Sequence, residues 1–261
     1  MNQSWIISTD FTGDLVAVDM HTRINHGSPC DTSTRVGYSA TLDDLILINR
    51  AAGIEKMFAC TFASCLSTAS IVEENAYMHQ LIDQVDCLYQ WVVIDPRIEE
   101  TFHQAEWMLQ HKKCVGIKLH PLYHKYSLME YGDKIFSFAS QFRTVVLIHP
   151  EKEASYILPM ADKYPDVTFI VAHLGGESYV DAVEFAKYKN VYTDTSGIAS
   201  SNNLLVEYAY HRIGADRILF GTDTYSATFQ RGRIEFSLIP LKEKKKILRD
   251  NALQLFANKL K

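Results

Sequence analysis

Residues 144–173 read TVVLIHPEKEASYILPMADKYPDVTFIVAH, and the pattern of apolar residues in this segment indicates the fold class. Two short apolar runs, 144–149 and 167–173, flank a segment, 154–163, whose apolar residues recur at helical spacing. Both runs are apolar at successive positions, which is typical of strands that are covered on both faces. The stretch therefore predicts two parallel strands joined by a helix, and each strand ends in a histidine.

The same alternation of apolar runs and helical segments extends over almost the whole chain. Runs of this kind occupy residues 15–19, 54–59, 87–94, 115–120, 144–149, 167–173, 191–194 and 217–223. Strands that alternate with helices in this number predict an α/β fold, a (β/α)8 TIM barrel. The alternative is an open doubly wound sheet, which is weakened because no Gly-rich phosphate loop follows the first run. Residues 5–10 and the turn 12–14 are expected to add a short extra N-terminal strand or hairpin.

The composition suits one compact domain that spans residues 1–261. Of these residues 47% are hydrophobic and 22% are charged, and no Pro/Gly/Ser-rich linker divides the chain. A net charge of -5 argues against a nucleic-acid partner, since phosphate binding needs clustered Lys and Arg. No apolar stretch approaches the roughly 18 residues that span a membrane, and the N-terminus lacks the pattern of a secretory signal. With five scattered cysteines and no CxxC pair, we expect a cytoplasmic protein with reduced thiols.

Ionisable residues stand at the ends of several apolar runs. In a TIM barrel the C-terminal ends of all strands converge on one face, so residues that are far apart in the sequence become neighbours there. Taken alone, each histidine is better explained as a hydrogen-bonded structural residue, but the recurrence at equivalent positions favours a shared site. The residues in question are His21, His120, His149, His173 and Asp223.

Histidine and carboxylate side chains together are the ligands of zinc and related divalent metals. A catalytic zinc needs three protein ligands and an open position for water, and the bound water then ionises near neutral pH. A nearby carboxylate can take the proton of that water, and a second histidine can polarise a substrate carbonyl. The pattern therefore predicts a metal site at the mouth of the barrel.

The strand-end series DMH, GIKLHP, LIHP, AHLGG, YTDTSG and FGTD, closed by ILRDNALQLF, resembles the amidohydrolase superfamily. Within it, the series is similar to the amidohydrolase-related branch that contains the aminocarboxymuconate semialdehyde decarboxylase-like enzymes. The resemblance covers residues 15–256 in order and spacing. It implies a deformed (β/α)8 barrel that holds one or two divalent metals and catalyses hydrolysis or, in some members, decarboxylation or hydration.

The resemblance also implies roles for individual residues. His21 matches the first histidine of the family's first-strand HxH motif, and His149 matches the metal ligand of the fifth strand. His173 matches the sixth-strand histidine that contacts metal, water or substrate. Asp223 matches the eighth-strand acid that binds metal and acts as general base. We therefore expect a metal on His21, His149, His173 and Asp223, with zinc as the first expectation and manganese or another divalent ion as alternatives.

The chain departs from the family where the second first-strand histidine would stand, because that position is Arg23. Arginine is permanently cationic and cannot ligate a metal. Arg23 either pairs with a substrate carboxylate or forms a salt bridge with a barrel acid such as Asp19. Lys118 and His120 share a face of the fourth strand and are expected to bind substrate, with Lys118 either a contact to a substrate anion or a packed lysine. A carboxylated Lys118 that bridges two metals is disfavoured, since a binuclear site needs the missing histidine more.

Other polar residues near the strand ends have weaker functional interpretations. The cluster after the seventh run, Thr193-Asp194 and Ser196-Gly197, could line the pocket, although Ser, Thr and Gly at a strand-to-helix turn usually serve capping. Cys60 and Cys65 lie near the end of the second run, but without a His or Asn partner motif a catalytic thiol is the minor interpretation. The long first loop, 24–40, is a candidate lid.

Three functional hypotheses follow, all with a small-molecule ligand. The first is a metal-dependent hydrolase of a polar substrate with a carbonyl and a carboxylate, in which Asp223 takes a proton and His173 stabilises negative charge. The second keeps the metal and changes the reaction to decarboxylation of an unsaturated or aromatic acid. The third, motivated by Arg23, is an inactive barrel that binds a ligand or a partner. Whether the chain forms a homo-oligomer stays open at this point.

Overall fold

The computed structural model describes residues 12–25, 41–151, 153–224 and 226–260. The expected extra strand at residues 5–10 and nearly all of the candidate lid lie outside the described residues. Eight strands form one parallel sheet in which each strand pairs with the next along the chain. The strands are β1 Ala17–Ile24, β2 Ile54–Thr61, β3 Leu88–Val93, β4 Cys114–Leu119, β5 Val145–Ile148, β6 Thr168–Val171, β7 Val191–Asp194 and β8 Ile218–Leu219.

The sheet curves round until its two edges meet. The amide of Met20 in β1 donates to the carbonyl of Phe220, 3.0 Å away, and the amide of Asp223 donates to the carbonyl of His21 over 2.7 Å. These bonds join β1 to the segment that follows β8, so the sheet forms a nearly closed barrel. The predicted (β/α)8 TIM barrel is confirmed.

Helices follow the strands and cover the outside of the barrel. They are α1 Leu42–Ala51, α2 Phe62–Leu66, α3 Ile71–Gln84, α4 Glu99–Met108, α5 Pro121–His124, α6 Leu128–Gln141, α7 Leu158–Lys163, α8 Glu177–Glu184, α9 Leu205–Ile213, α10 Ala227–Glu235, α11 Leu241–Lys245 and α12 Asn251–Leu255. The helix predicted over 154–163 is divided into a 3-10 turn, Ala154–Ile157, and α7. Pro159 lies in the first turn of α7 and has no N–H to donate to the preceding turn, which explains the break. No described helix combines the length and the apolar character needed to cross a membrane.

Strand β1 is longer than the sequence predicts and reaches Ile24 instead of Asp19. The apolar run stops at Asp19, but His21 and Arg23 continue the strand, and both side chains are buried. Strand β8 is shorter than predicted, because the chain after Leu219 turns towards β1 and bonds to His21. Both differences bring polar residues to the same end of the barrel.

Two apolar clusters separate the inside of the barrel from the outside. The larger contains helix residues such as Leu45, Ile135 and Val180, so it lies between the sheet and the helices. The smaller contains alternate strand residues such as Phe58 and Trp91, which must therefore face the barrel interior. This interior cluster closes the barrel below the strand ends that carry the histidines.

Candidate active site

The structure brings the predicted site residues to one end of the barrel. Each lies in the C-terminal half of a strand or up to four residues after its end, and each is buried or nearly so. They are His21 and Arg23 in β1, Lys118 in β4, His120 after β4, His149 after β5, His173 after β6 and Asp223 after β8.

His21 lies at the centre of the cluster. Its Nδ1 is 3.0 Å from Asp194 Oδ2 and 2.9 Å from Ser196 Oγ, while its Nε2 is 3.1 Å from Lys118 Nζ. Because an ammonium group can only donate, Nε2 is the acceptor, and the ring proton lies on Nδ1 and points to Asp194. Burial, and then the charge of Lys118, hold the pKa of His21 well below its ordinary value. His21 is therefore a neutral imidazole whose orientation is fixed by a carboxylate.

Two further histidines extend the cluster. His149 Nδ1 lies 2.8 Å from His173 Nε2, and His173 Nδ1 lies 3.0 Å from Ser196 Oγ. Burial lowers the pKa of both rings, and each ring is neutral at physiological pH. His173 also has a φ of 69°, in the left-handed region that a residue with a Cβ rarely adopts. Asp223 has a φ of 54°, so two of the predicted site residues hold a strained backbone, which is common at functional sites.

Arg23 forms an ion pair with Asp223. The distance between Arg23 Nη2 and Asp223 Oδ1 is 3.0 Å, and both side chains are 5% exposed. Burial alone would raise the pKa of Asp223, but the charge of Arg23 lowers it below its usual range. Asp223 is thus a carboxylate at neutral pH, and its Oδ1 lies 3.6 Å from His21 Nε2.

Asp19, the barrel acid considered for Arg23, has a different partner. Its Oδ2 accepts a hydrogen bond of 2.6 Å from the hydroxyl of Thr222, and its Oδ1 accepts one of 3.0 Å from the amide of the same residue. Burial raises the pKa of Asp19 to about 8, so this side chain is largely protonated at neutral pH. The salt bridge to a barrel acid exists, but the acid is Asp223.

The ring of His120 makes no hydrogen bond within the described part of the chain. Both ring nitrogens are buried and unpartnered there. The ring stacks on His149, with 4.1 Å between centroids and 14° between planes. Burial, and then His149, lower the pKa of His120 far below its ordinary value, so the ring is neutral. Because an unpartnered buried polar group is costly, these nitrogens are suited to bind something that enters the site.

The donors at the barrel mouth fit one divalent metal. His21, His173 and Asp194 each offer a ligand atom, and these atoms all lie within 4.8 Å of one another. The two imidazoles are neutral, as metal ligands must be. His149 and Asp223 are neighbours of this group rather than members of it, at 2.8 Å from His173 Nε2 and 3.6 Å from His21 Nε2. The cations Arg23 and Lys118 in the same space disfavour a second metal.

Asp194 and Ser196 are more central than the sequence suggests. Asp194 accepts from His21 and, through Oδ1, from the backbone amide of Ser196 at 2.8 Å. The Ser196 hydroxyl lies between the rings of His21 and His173. The sequence does contain a signal for this role, since Asp194 also ends an apolar run. The surrounding Thr, Ser and Gly residues nevertheless favour helix capping as the simpler interpretation.

Comparisons with known proteins agree with this architecture. A family model described as Amidohydrolase matches residues 59–257. A solved structure of 2,6-dihydroxybenzoate decarboxylase in complex with 2,6-dihydroxybenzoate superposes with a TM-score of 0.74 at 16% identity, covering 93% of this chain and 99% of that chain. A dihydroxybenzoic acid decarboxylase from Polaromonas with bound manganese and 2-nitroresorcinol gives 0.71 at 16% identity, covering 93% and 97%. A probable 2-pyrone-4,6-dicarboxylic acid hydrolase from Acinetobacter baumannii gives 0.68 at 20% identity, covering 93% and 100%.

The likeness to these structures shows the fold alone, because the identities are low. A search of curated proteins finds no match to the sequence. The family model is independent of the structural likeness and covers most of the barrel, including the strand ends that carry His120, His149, His173 and Asp223.

Proposed function

The chain belongs to the amidohydrolase family, and from that premise we propose that it is a metal-dependent decarboxylase of a small aromatic or unsaturated carboxylic acid. The observation that carries this proposal is the presence of two buried basic side chains, Arg23 and Lys118, beside the cluster of histidines and carboxylates. Buried cations of this kind favour an anionic ligand. Decarboxylases of dihydroxybenzoic acids are among the solved structures with the same fold, which supports this class of substrate.

Three side chains would bind the substrate. The forked guanidinium of Arg23 suits a carboxylate, which would share Arg23 with Asp223. Lys118 supplies a second positive charge close to His21. His120 has the two ring nitrogens without partners in the described chain and would hydrogen-bond a hydroxyl or carbonyl oxygen of the substrate.

The proposed metal ligands are His21 and His173, two members of the predicted set, together with Asp194, whose ligand atom lies within 4.8 Å of theirs. His149 and Asp223, the other two members of the predicted set, lie beside this group. Zinc remains our first expectation, and the manganese in one structure of the same fold makes manganese the principal alternative. Such an ion, when bound, polarises substrate oxygens and lowers the pKa of water.

Side chains of the protein would transfer the proton that the reaction requires. Loss of CO2 from an aromatic acid leaves a ring carbon that must gain one proton. Asp223 is ionised at neutral pH and would take a proton from a substrate hydroxyl or from water and deliver it to that carbon. His173, 3.9 Å from Asp223 Oδ2, would donate a hydrogen bond to the oxygen on which negative charge develops. Burial of the whole cluster excludes bulk water and strengthens these interactions.

Hydrolysis is the second candidate, because the same two residues can serve it. Asp223 would take a proton from an attacking water and pass it to the leaving group, and His173 would stabilise the oxyanion. A probable hydrolase of a pyrone dicarboxylic acid has the same fold, and its substrate also bears carboxylates.

The test is a product analysis of protein reconstituted with zinc or manganese. The substrates are 2,6-dihydroxybenzoate, 5-carboxyvanillate and 2-pyrone-4,6-dicarboxylic acid, and the readouts are CO2 release and chromatography of the products. CO2 release that is abolished by Asp223→Asn and by chelation would support the decarboxylase. Ring opening of the pyrone without CO2 release would replace it with the hydrolase, and turnover that survives complete metal removal would overturn the metal-dependent mechanism.

A further inference from the structure

Two cysteines lie in contact beside the site and have no part in the proposed reaction. Cys60 is in β2, where it is the register partner of Arg23, and Cys65 is in α2, directly after that strand. Their Sγ atoms are 3.2 Å apart, and both side chains are buried, with exposures of 1% and 0%. Of the other described cysteines, Cys114 has its Sγ 3.3 Å from Gln90 Oε1, and Cys87 is half-buried.

The local fold holds the two thiols together. The Thr61 hydroxyl accepts a hydrogen bond of 3.1 Å from the Ser64 amide, which caps α2 and turns the chain back over the end of β2. This turn returns Cys65 to Cys60 across five residues of sequence. A disulfide bond is about 2.0 Å long, so a movement of about 1.2 Å between the sulfurs would form one.

The surroundings of the pair favour a thiolate. The hydrogen bond from Cys60, together with the charges of Arg23 and Lys118, lowers the pKa of Cys65 to about 6 against the effect of burial. The same hydrogen bond raises the pKa of Cys60, which therefore keeps its proton. One sulfur is thus prepared as a nucleophile and the other as its proton donor and resolving thiol.

We propose that Cys60 and Cys65 are a reversible oxidation site, which a small peroxide entering the barrel mouth converts to an intramolecular disulfide. The Cys65 thiolate attacks one peroxide oxygen, the O–O bond breaks, and the leaving oxygen takes from solvent the proton that Cys65 released on ionising, which forms water or an alcohol. The resulting sulfenic acid of Cys65 is attacked by the Cys60 sulfur. The S–O bond breaks, and the departing hydroxide takes the Cys60 proton and leaves as water. The pair loses two electrons, and the peroxide gains them.

The position of the pair connects it to the substrate site. The ring of Phe62, in the same helix as Cys65, lies 5.6 Å from the guanidinium carbon of Arg23. The Ser64 carbonyl in that helix lies 2.9 Å from His124 Nε2. A disulfide that draws Cys65 towards β2 therefore moves the helix that supports Arg23.

The test measures oxidation of the cysteines by mass spectrometry and needs no substrate. Its outcome is therefore independent of whether the protein has the proposed decarboxylase activity. The full chain is treated with hydrogen peroxide, denatured, alkylated with N-ethylmaleimide and digested. We expect the peptide with Cys60 and Cys65 to lack alkylation at both and to be lighter by two hydrogens, and dithiothreitol to reverse the change. Cys87→Ser, a matched control, should form the same bridge. Cys60→Ser, which keeps a hydrogen-bond donor beside Cys65 but cannot form the bridge, should instead leave a sulfenic acid on Cys65 that dimedone captures.

Several results would overturn the proposal. Full alkylation of Cys60 and Cys65 after peroxide treatment would show that the pair does not react. Oxidation confined to Cys87 or Cys114, or a bridge from either cysteine to Cys30, would show that the contact between Cys60 and Cys65 does not direct the chemistry.

Discussion

The two ends of the barrel interior are built by the same strands and filled in opposite ways. One end is apolar, with Phe58 and Phe256 in edge contact at 5.0 Å between centroids and Trp91 5.8 Å from Phe256. The other end holds the neutral histidines, the ionised Asp223 and two basic side chains. At the end of β5 the change occurs within three residues, from the inward Leu147 to His149, directly after the strand. The two ends therefore depend on different interactions, apolar packing at one end and paired or unpaired buried polar groups at the other.

The largest expected effect is at the apolar end. Phe58→Ala removes a fully buried ring and leaves a cavity, so we expect the free energy of unfolding to fall by about 3–5 kcal/mol. Urea denaturation of the metal-free protein measures this, with Leu47→Ala as a control because Leu47 is 64% exposed. A loss equal to that of the control would mean that the aromatic cluster is not the main core of the barrel.

The ion pair at the polar end should behave differently. Arg23→Met leaves Asp223 with only the more distant charges of its neighbours, and we expect a loss of about 3 kcal/mol in the free energy of unfolding. Adding Asp223→Asn should restore much of it, because the uncompensated charge is then gone. Urea denaturation of both single variants and the double variant in chelator gives the coupling. Additive losses would show that the two side chains do not act as a pair.

Asp19 makes the stability of the folded protein depend on pH. Its pKa in the folded chain, about 8, is above the ordinary value of 3.8, so folding is disfavoured once the carboxyl must ionise. Its stabilising effect is complete below pH 3.8 and is lost as the pH rises to about 8, at up to about 1.4 kcal/mol per pH unit. Asp19→Asn keeps the shape and cannot ionise. We expect the wild type to lose stability relative to this variant between pH 5 and 8, as measured by denaturation of both proteins at each pH. The same pH dependence of stability in both proteins would be inconsistent with a protonated Asp19.

The smallest effect has the opposite sign. His120→Phe keeps the stacking on His149 and removes two buried nitrogens that have no partner in the described residues, so the free energy of unfolding should rise by about 1 kcal/mol. Substrate binding should weaken at the same time. Thermal unfolding and the Michaelis constant measure the two changes, and a loss of stability would mean that His120 is a structural residue.

The sequence predicts the strands and the histidines at their ends, but not which side chains pair across the barrel. The strand ends and their histidines follow from apolar runs whose period and position are local properties. The partner of Arg23 is not local, because Asp19 and Asp223 are both near and only the closure of the barrel decides between them. The role of Asp194 is not evident from the sequence for the same reason, because its contact with His21 joins β7 to β1 across the barrel. The contact between Cys60 and Cys65 depends on the capped turn at Thr61, which the spacing alone does not reveal.

The metal content of the purified protein decides whether the cluster at the barrel mouth is a metal site. Elemental mass spectrometry is applied to the wild type, to His21→Ala and to His103→Ala, a control whose side chain is 63% exposed. We expect about one divalent ion per chain in the wild type and the control, and loss of that ion in His21→Ala with the fold retained. Absence of bound metal in the folded wild type, even after reconstitution with zinc and with manganese, would contradict this expectation.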